Sequence, residues 1–443
     1  MKLLNVYLKI KIKKMQMIKI LDSKKNNFNS SLDNLLLKRK NKIKFNSNIV
    51  IKIIKDIKKN GDKALLKYEK KFGKNSIIIS KPKEIKKQIR SLDKNIKNAI
   101  DLAYRRIFEF HSKQKVQNIF YKDKLQNKLS YKYFPIESVG IYVPGGTASY
   151  PSTVLMNAIP AIVAGVKRIV MVNPRKNGKQ NSGVLYAAKK CGIKEIYSIG
   201  GAQAISALTY GTKKVNKVNK IVGPGNLYVS IAKKEIFGDV GIDMIAGPSE
   251  ITVIGDKYSD PDWIAADLIA QAEHDEFSQS ILVSKDKGLI NNVKKSLLNQ
   301  LKSLPRKLIA TKSLKSNGIL IYISSDRKMI EVVNKIAPEH LELNAKNYKN
   351  FVSKITNAGS IFIGKYSTEA VGDYLAGTNH VLPTSGSAKF SSGLSVYDFY
   401  KRISYINLSK KGIETLGPSV ITLANFEGLE GHAKSVELRI RRK

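Results

Sequence analysis

The order of apolar segments predicts an α/β fold built on parallel sheets. From Pro135 onward, short apolar runs of strand length alternate with stretches of helical periodicity. A second block of the same texture begins at Ile251. Glycine turns close three of the predicted strands: Pro144-Gly145-Gly146-Thr147, Gly200-Gly201-Ala202-Gln203 and Gly223-Pro224-Gly225-Asn226. Such turns let backbone N–H groups approach a phosphate at a helix N-terminus, although they also serve as ordinary strand-to-helix punctuation. None is a complete GxGxxG.

Taken in order, residues 21–45 are polar and read as an arm with a short helix around Leu35. Helical periodicity from Ile49 to Asn60 breaks at Gly61 and resumes from Lys63 to Lys71. A short strand at 76–80 precedes one long amphipathic helix from about Lys83 to Val116, with Ile89, Leu92, Ile96, Ile100 and Tyr104 on its apolar face. The first alternating block predicts strands at 137–142, 168–173, 195–199 and 218–222, and helices at 151–164, 181–190, 202–209 and 227–236. The second predicts strands at 251–256, 280–284, 319–323 and 360–363, and helices at 260–275, 288–303, 325–335 and 347–357. Residues 384–396 are rich in Ser and Gly and read as a loop. A segment from Val396 to Ile406, a strand from Ser419 to Leu423 and a C-terminal helix from about Glu427 complete the chain.

At 443 residues the chain has room for two or three domains with substantial cores. Its single cysteine, Cys191, excludes a disulfide framework and fits a reducing compartment, hence the cytoplasm. Cys191 falls where a helix gives way to a strand, a position for a small buried residue. The formal charge of +43 is uneven: residues 1–130 hold 36 basic and 10 acidic residues, the remaining 313 hold 42 and 25. Nucleic-acid binding and drift toward lysine-rich codon usage both account for that excess. The lysines are scattered along helices without aromatic interleaving, which argues against a specific nucleic-acid partner. No apolar run approaches bilayer-spanning length, so no membrane partner is expected. Residues 1–20 are basic and acid-free; they resemble a transit peptide superficially, or an extension upstream of an original start at Met15 or Met17.

The stretch from Asp260 to Ser278 carries the first chemical signal. Asp260 suits a cap, Pro261 the first helical position and Asp262 the positive end of the dipole. Asp267, Gln271 and His274 fall on one face, so a carboxamide oxygen and an imidazole nitrogen can meet at one point and hold a metal with positions left open. Taken alone, the same face suits an ordinary polar helix surface. The other histidines reinforce the signal. Glu339 precedes His340, Asp373 lies seven before His380, and Glu427 and Glu430 precede His432. Only His111 lies away from any acid cluster and reads as structural. Acids are scarce, 35 against 78 Lys plus Arg, so their clustering at histidines points to metal ligation and proton transfer.

Eight motifs stand in series: Tyr142-Val143-Pro144-Gly145-Gly146, Gly200-Gly201-Ala202-Gln203-Ala204, Gly223-Pro224-Gly225-Asn226, Ala246-Gly247-Pro248-Ser249-Glu250, Gln271-Ala272-Glu273-His274, Ala337-Pro338-Glu339-His340-Leu341-Glu342-Leu343, Gly372-Asp373-Tyr374 through Asn379-His380, and Glu427 with His432. In this order they resemble the histidinol dehydrogenase family of histidine biosynthesis, over essentially the whole chain from about residue 17.

The resemblance implies a zinc enzyme that oxidises L-histidinol through the aldehyde to L-histidine with two molecules of NAD. Carried over by position, Gln271, His274, Asp373 and His432 are the Zn2+ ligands, Glu339 and His340 the acid/base pair, and Tyr142, Gln203 and Asn226 the NAD contacts. Ser249, His380 and Glu427 join the zinc ligands and His340 as substrate contacts. The implied fold is two three-layer α/β/α domains with incomplete Rossmann-like topology, similar to aldehyde dehydrogenases, plus small N- and C-terminal segments. The expected division is 1–45 as N-terminal extension and arm, 46–134 with 245–383 as domain 1, 135–244 as domain 2 on the NAD side, and 384–443 as a C-terminal segment completing the site of a second copy in a homodimer. A helical turn begun at Pro338 would keep His340 neutral through its positive end, or the segment runs into a strand through Leu341 and Leu343. The competing reading is another NAD-linked metal or aldehyde dehydrogenase on the same scaffold. It leaves Glu339-His340 and the late Glu427/His432 pair without a reason.

Overall fold

A computed structural model describes residues 18–41, 47–145 and 150–440. Residues 1–17, with the alternative starts at Met15 and Met17, lie outside the described residues, as do Gly146 and Thr147 of the first glycine turn.

The chain opens with β1 (Lys19–Asp22) and the helix Phe28–Asn41. The helix Ser47–Tyr68 passes through Gly61, whose φ of 49° kinks it where the periodicity breaks, and ends in a π-helical turn, Glu69–Gly73. Helices Pro82–Arg90 and Lys94–His111 replace the single long helix expected there. Asp93 separates them, because its carboxylate accepts the Asn95 and Ile96 amides and starts a new helix. The expected strand at 76–80 is reduced to one isolated bridge between Ile79 and Tyr197. Strands β2 (Ile119–Lys122) and β3 (Lys128–Pro135) were not foreseen, since lysines and tyrosines interrupt any apolar alternation.

The first α/β unit follows: β4 (Ser138–Tyr142), helix Pro151–Ala164, β5 (Arg168–Val172), helix Ser182–Lys190, β6 (Glu195–Tyr197), helix Gly201–Tyr210, β7 (Lys220–Val222), helix Leu227–Ile236 and β8 (Gly241–Ile242). The second comprises β9 (Glu250–Gly255), helix Pro261–Ala272, β10 (Gln279–Ser284), helices Lys287–Gln300 and Lys307–Asn317, β11 (Ile319–Tyr322), helix Asp326–Ile336, β12 (His340–Leu343), the short helix Lys349–Val352, β13 (Ser360–Ile363) and helix Glu369–Tyr374. The helix expected over 347–357 shrinks to that short turn, and Lys307–Asn317 is an addition. β14 (Tyr400–Asn407) pairs antiparallel with β3, giving a three-stranded sheet ordered β14-β3-β2.

Both large sheets are parallel, ordered β6-β5-β4-β7-β8 and β1-β11-β10-β9-β12-β13. Their central strands β4, β9 and β10 are buried along their whole length, as parallel strands covered on both faces must be. Each sheet carries an apolar layer on either side. Helices 94–111, 151–164 and 182–190 share one core with the five-stranded sheet, and helices 47–68, 201–210 and 227–236 share the other. Helices 261–272, 287–300 and 307–317 share one core with the six-stranded sheet; helices 28–41, 326–336 and 349–352 share the other.

This packing corrects the expected division. Residues 47–111 pack on the five-stranded sheet, not with 245–383 on the six-stranded one. The expected arm takes that place: β1 pairs with β11, and Phe28 and Leu32 enter its core. The strand expected at 419–423 is also corrected. Those β-branched residues lie within the helix Lys410–Phe426, which Ser409 caps through the Gly412 amide. Gly417 lets this helix approach Val436 and Ile440 of the last helix, Glu430–Ile440, and that packing overrides local strand preference.

Leu32 is fully buried. Leu32→Ala should therefore lower unfolding free energy by about 2–5 kcal/mol, read by chemical denaturation. Unchanged stability would mean that residues 18–41 form a detached arm after all.

Candidate active site

His340 opens β12 and is buried. Ala337, with φ of 48°, ends the preceding helix, so His340 sits at a strand start and no helix terminus faces it from Pro338. Its Nδ1 lies 3.0 Å from the Glu250 carbonyl oxygen. A carbonyl only accepts, so Nδ1 carries the proton and Nε2 keeps its lone pair. Nε2 has no hydrogen-bond partner and lies 3.8 Å from Asp373 Oδ1. Burial brings the imidazole down to about 4, against the opposing pull of Asp373. The ring is therefore neutral at pH 7, as expected, but burial and not a helix end makes it so.

The other carboxylates gather around it. Glu339 accepts the Glu250 N–H at 2.8 Å, and burial pushes its carboxyl well above the usual range. Asp373 lies one turn after Glu369 on the helix Glu369–Tyr374. Its carbonyl takes a hydrogen bond from His380 Nδ1 at 2.9 Å. His274 follows the helix Pro261–Ala272, is half-buried, and is held low by burial while Asp373 pulls upward. Gln271 is fully buried; with its amide oriented to suit its neighbours, its nitrogen donates to the Glu250 carbonyl at 3.2 Å and to Glu369 Oε1 at 3.0 Å. Its oxygen is then turned toward donors.

Glu369 was not singled out from sequence, although its spacing of four from Asp373 was a usable signal. It lies 3.4 Å from His340 Nδ1, its Oε2 is buried without a partner, and burial raises its carboxyl well above normal. Donor atoms of His340, Glu369 and Asp373 all lie within 4.8 Å of one another. An orphaned oxygen among crowded carboxyls is what a cation relieves. Of the expected ligands, Asp373 belongs to this cluster, Gln271 bonds its Glu369, and His274 feels the Asp373 charge. Glu427 caps the C-terminus of the helix Lys410–Phe426, and His432 lies on the final helix. Both are exposed on that hairpin, and the cluster assembles without them. Ser249 is half-buried just before β9, its carbonyl taking the Gln279 N–H at 3.0 Å.

The expected cofactor contacts lie at or beyond the C-terminal ends of the first unit's strands. Tyr142 OH accepts the Gly201 N–H at 2.9 Å, and burial pushes the phenol up to about 12. Asn226 caps its helix through the Val229 amide at 3.2 Å. Gln203 Nε2 donates to Glu69 Oε1 at 2.8 Å, and the same oxygen accepts the Gly200 N–H at 2.9 Å. The second glycine turn therefore already holds a carboxylate at its helix N-terminus, where sequence suggested approach to a phosphate. Residues of the first unit also bond the segments that flank the second: Asn379 Nδ2 donates to the Met156 carbonyl at 2.6 Å, and Ser230 Oγ to that of Ala246 at 2.7 Å. A cavity of about 520 Å³ lies behind Glu250, lined also by Arg39, Pro248, Phe277 and Lys312.

The histidinol dehydrogenase family model matches residues 37–440. The chain belongs to the histidinol dehydrogenase family. It is 71% identical to histidinol dehydrogenase of Pelagibacter ubique over 428 residues, covering 96% of this chain and 100% of that relative. It is 48% identical to histidinol dehydrogenase of Rhizobium meliloti, covering 88% of this chain and 91% of that one. A solved histidinol dehydrogenase from Elizabethkingia anophelis matches with a TM-score of 0.88 at 39% identity, covering 96% of this chain and 99% of that structure.

In this family member Cys191 is buried, and burial pushes its thiol up to about 12, so it is no nucleophile. Glu69, another residue missed from sequence, has its carboxyl raised by burial above its ordinary value of 4.5. A group raised on folding contributes stability below its unfolded value and loses it as pH climbs through the folded value. Glu69→Gln keeps an oxygen for both donors and removes the buried charge. It should raise the melting temperature at pH 7–8, with the gain fading toward pH 4. A gain independent of pH would refute the charge penalty.

Proposed function

We propose that this protein oxidises L-histidinol through histidinal to L-histidine, with Zn2+ and two molecules of NAD, as a homodimer with shared sites. The observation that carries this reading is the neutral His340 ring, its free Nε2 turned toward Asp373 beside Gln271 and His274. His340 Nε2 takes the hydroxyl proton as a hydride leaves the same carbon, which yields the aldehyde. Glu339 then takes a proton from the water that adds to that carbonyl; burial opposes the charged form this step needs, and the bond from the Glu250 N–H works against that burial. His340 returns its proton to the carbonyl oxygen, which completes the hydrate and frees Nε2; loss of a second hydride from the hydrate, with a hydroxyl proton passing to His340, then yields the carboxylic acid.

NAD, held near Tyr142, Gln203 and Asn226, would accept each hydride. Zn2+ would be held by Gln271, His274, Asp373 and the partner subunit's His432, and would stabilise the alcohol oxygen as its proton leaves. The donor set suits zinc by its chemistry: the imidazole of His274, the carboxamide of Gln271 and the carboxylate of Asp373 border a patch rich in acids, with one ligand still to come from outside. Ser249 and His380, with the partner subunit's Glu427, would orient the amino alcohol. Dimerisation is supported by the exposed apolar side chains of the hairpin and its sheet, among them Phe120, Ile406, Leu423 and Phe426. Among the described residues no helix is long and apolar enough to cross a membrane, and one buried cysteine suits the cytoplasm.

NAD reduction on histidinol, with and without a chelator, tests the activity. Turnover should stop on chelation and return with Zn2+, and simple alcohols should not replace histidinol. Preferential turnover of simple alcohols would favour a different dehydrogenase on this scaffold.

Gln271→Ala and His274→Ala should each lose zinc and activity together while retaining the native circular-dichroism spectrum. Full zinc occupancy in both would overturn the ligand assignment. Unfolding and remixing inactive His432→Ala with inactive Gln271→Ala should restore about half of the sites in each mixed dimer, because one site then carries both defects and the other neither. No recovery in confirmed heterodimers would mean that each chain builds its own site.

A further inference from the structure

We infer that Arg39 and Glu250 act as a positioning pair for Glu339 and His340, so that the N-terminal helix Phe28–Asn41 sets the geometry of the acid/base centre. This rests on the functional reading above for its kinetic arm only.

Glu250 is the first residue of β9, and both of its backbone groups serve the centre. Its N–H holds the Glu339 carboxylate at 2.8 Å, and its carbonyl holds His340 Nδ1 at 3.0 Å. β12 joins β9 in register from His340 opposite Ile251, so Glu250 stands just beyond the paired residues. No sheet ladder to β12 fixes it there. The ladder to β10, where Glu250 pairs with Gln279, holds its other side; toward β12 it is held by its side chain, which is anchored at both oxygens. Arg39 Nη1 donates to Oε2 at 2.9 Å, and the Ser385 N–H to Oε1 at 3.0 Å. Arg39 Nη2 donates to the Ile336 carbonyl at 2.8 Å, on the last residue of the helix that leads through Ala337 and Pro338 into Glu339 and His340. One planar guanidinium therefore grips the strand residue that binds the two catalytic side chains and the chain that delivers them. A lysine offers a single point of charge and cannot reproduce that fork.

The pair is buried, with side chains 6% and 2% exposed. A buried ion pair returns little net stability after desolvation, so stability alone is a weak reason for it. Arg39 lies behind Glu250 and touches none of the groups expected to meet substrate. Its effect is mechanical: without it the Glu250 carboxylate loses its cation, the strand end relaxes, and both side chains bound to that backbone shift. Displacements of about 1 Å at a reacting centre cost on the order of 100-fold in rate.

The test compares wild type, Arg39→Met and Arg39→Lys, full length and zinc-loaded, using histidinol and NAD. Arg39→Met should lower kcat by about 100-fold, with zinc content and both KM values nearly unchanged, and Arg39→Lys should fall between. In parallel, exchange of the His340 Nδ1 proton with solvent is followed by NMR in the zinc-free proteins; it should quicken at least about tenfold in Arg39→Met as the Glu250 carbonyl moves. That arm reads the pair whether or not histidinol is turned over. If wild type fails on histidinol, the functional reading fails while the exchange arm still decides this one.

Wild-type kcat and exchange in Arg39→Met would overturn the inference. So would a loss confined to KM, zinc content or melting temperature, which marks a purely structural residue. If Arg39→Met does not fold, Arg39→Lys decides: full kcat with wild-type exchange contradicts the proposal.

Discussion

The hydrogen bond from His340 Nδ1 to the Glu250 carbonyl is the contact on which the site depends. It assigns the ring proton to Nδ1 and leaves Nε2 as the basic atom. Burial keeps the ring neutral despite its acidic neighbours. Without that bond the ring would be free to turn, and the lone pair would have no fixed direction. The same residue's N–H holds Glu339, so one peptide segment orients both members of the pair. This economy arises because β9 and β12 are adjacent parallel strands whose starts lie side by side.

A second constraint is electrostatic. Glu339, Glu342 and Glu369 are each buried, and each carboxyl is raised well above its ordinary value. Burial dominates each shift, and neighbouring carboxylates add to it. Such a patch must bind protons, pair with cations or receive a metal. Arg39 meets part of that demand at Glu250. The orphaned Glu369 Oε2 marks where more is unmet. Charge requirement and donor chemistry thus point to the same place, which makes a divalent cation a natural complement to the fold.

The α/β alternation was legible because each crossover unit carries a local signal: an apolar strand, a glycine turn, and a helix with its own caps, as from Ser138 to Ala164. Where burial is one-sided or pairing is distant, that signal fades. Strands β2, β3 and β14 have mixed polar faces, and β14 joins β3 across more than 260 residues of sequence, from Tyr133 to Arg402. The Val420–Thr422 run read as strand because its helix is selected by contact with Val436 and Ile440. In the site, His340, Gln271, His274 and Asp373 were marked by histidines beside scarce acids. Arg39 and Glu69 were invisible among the many charged residues of the N-terminal third, since only folding buries them. Glu427 and His432 are exposed on the last two helices, an exposure that no spacing along the sequence reveals.

The chemistry of the site turns on the state of one ring, and that state is directly measurable. A long-range nitrogen–proton NMR spectrum of zinc-free protein labelled at histidine, recorded near pH 7 and assigned by comparison with His340→Gln, reports which ring nitrogen bears the proton. The structure predicts a neutral His340 with the proton on Nδ1 and Nε2 bare. A ring protonated at Nε2, or a charged imidazolium at that pH, would contradict the account.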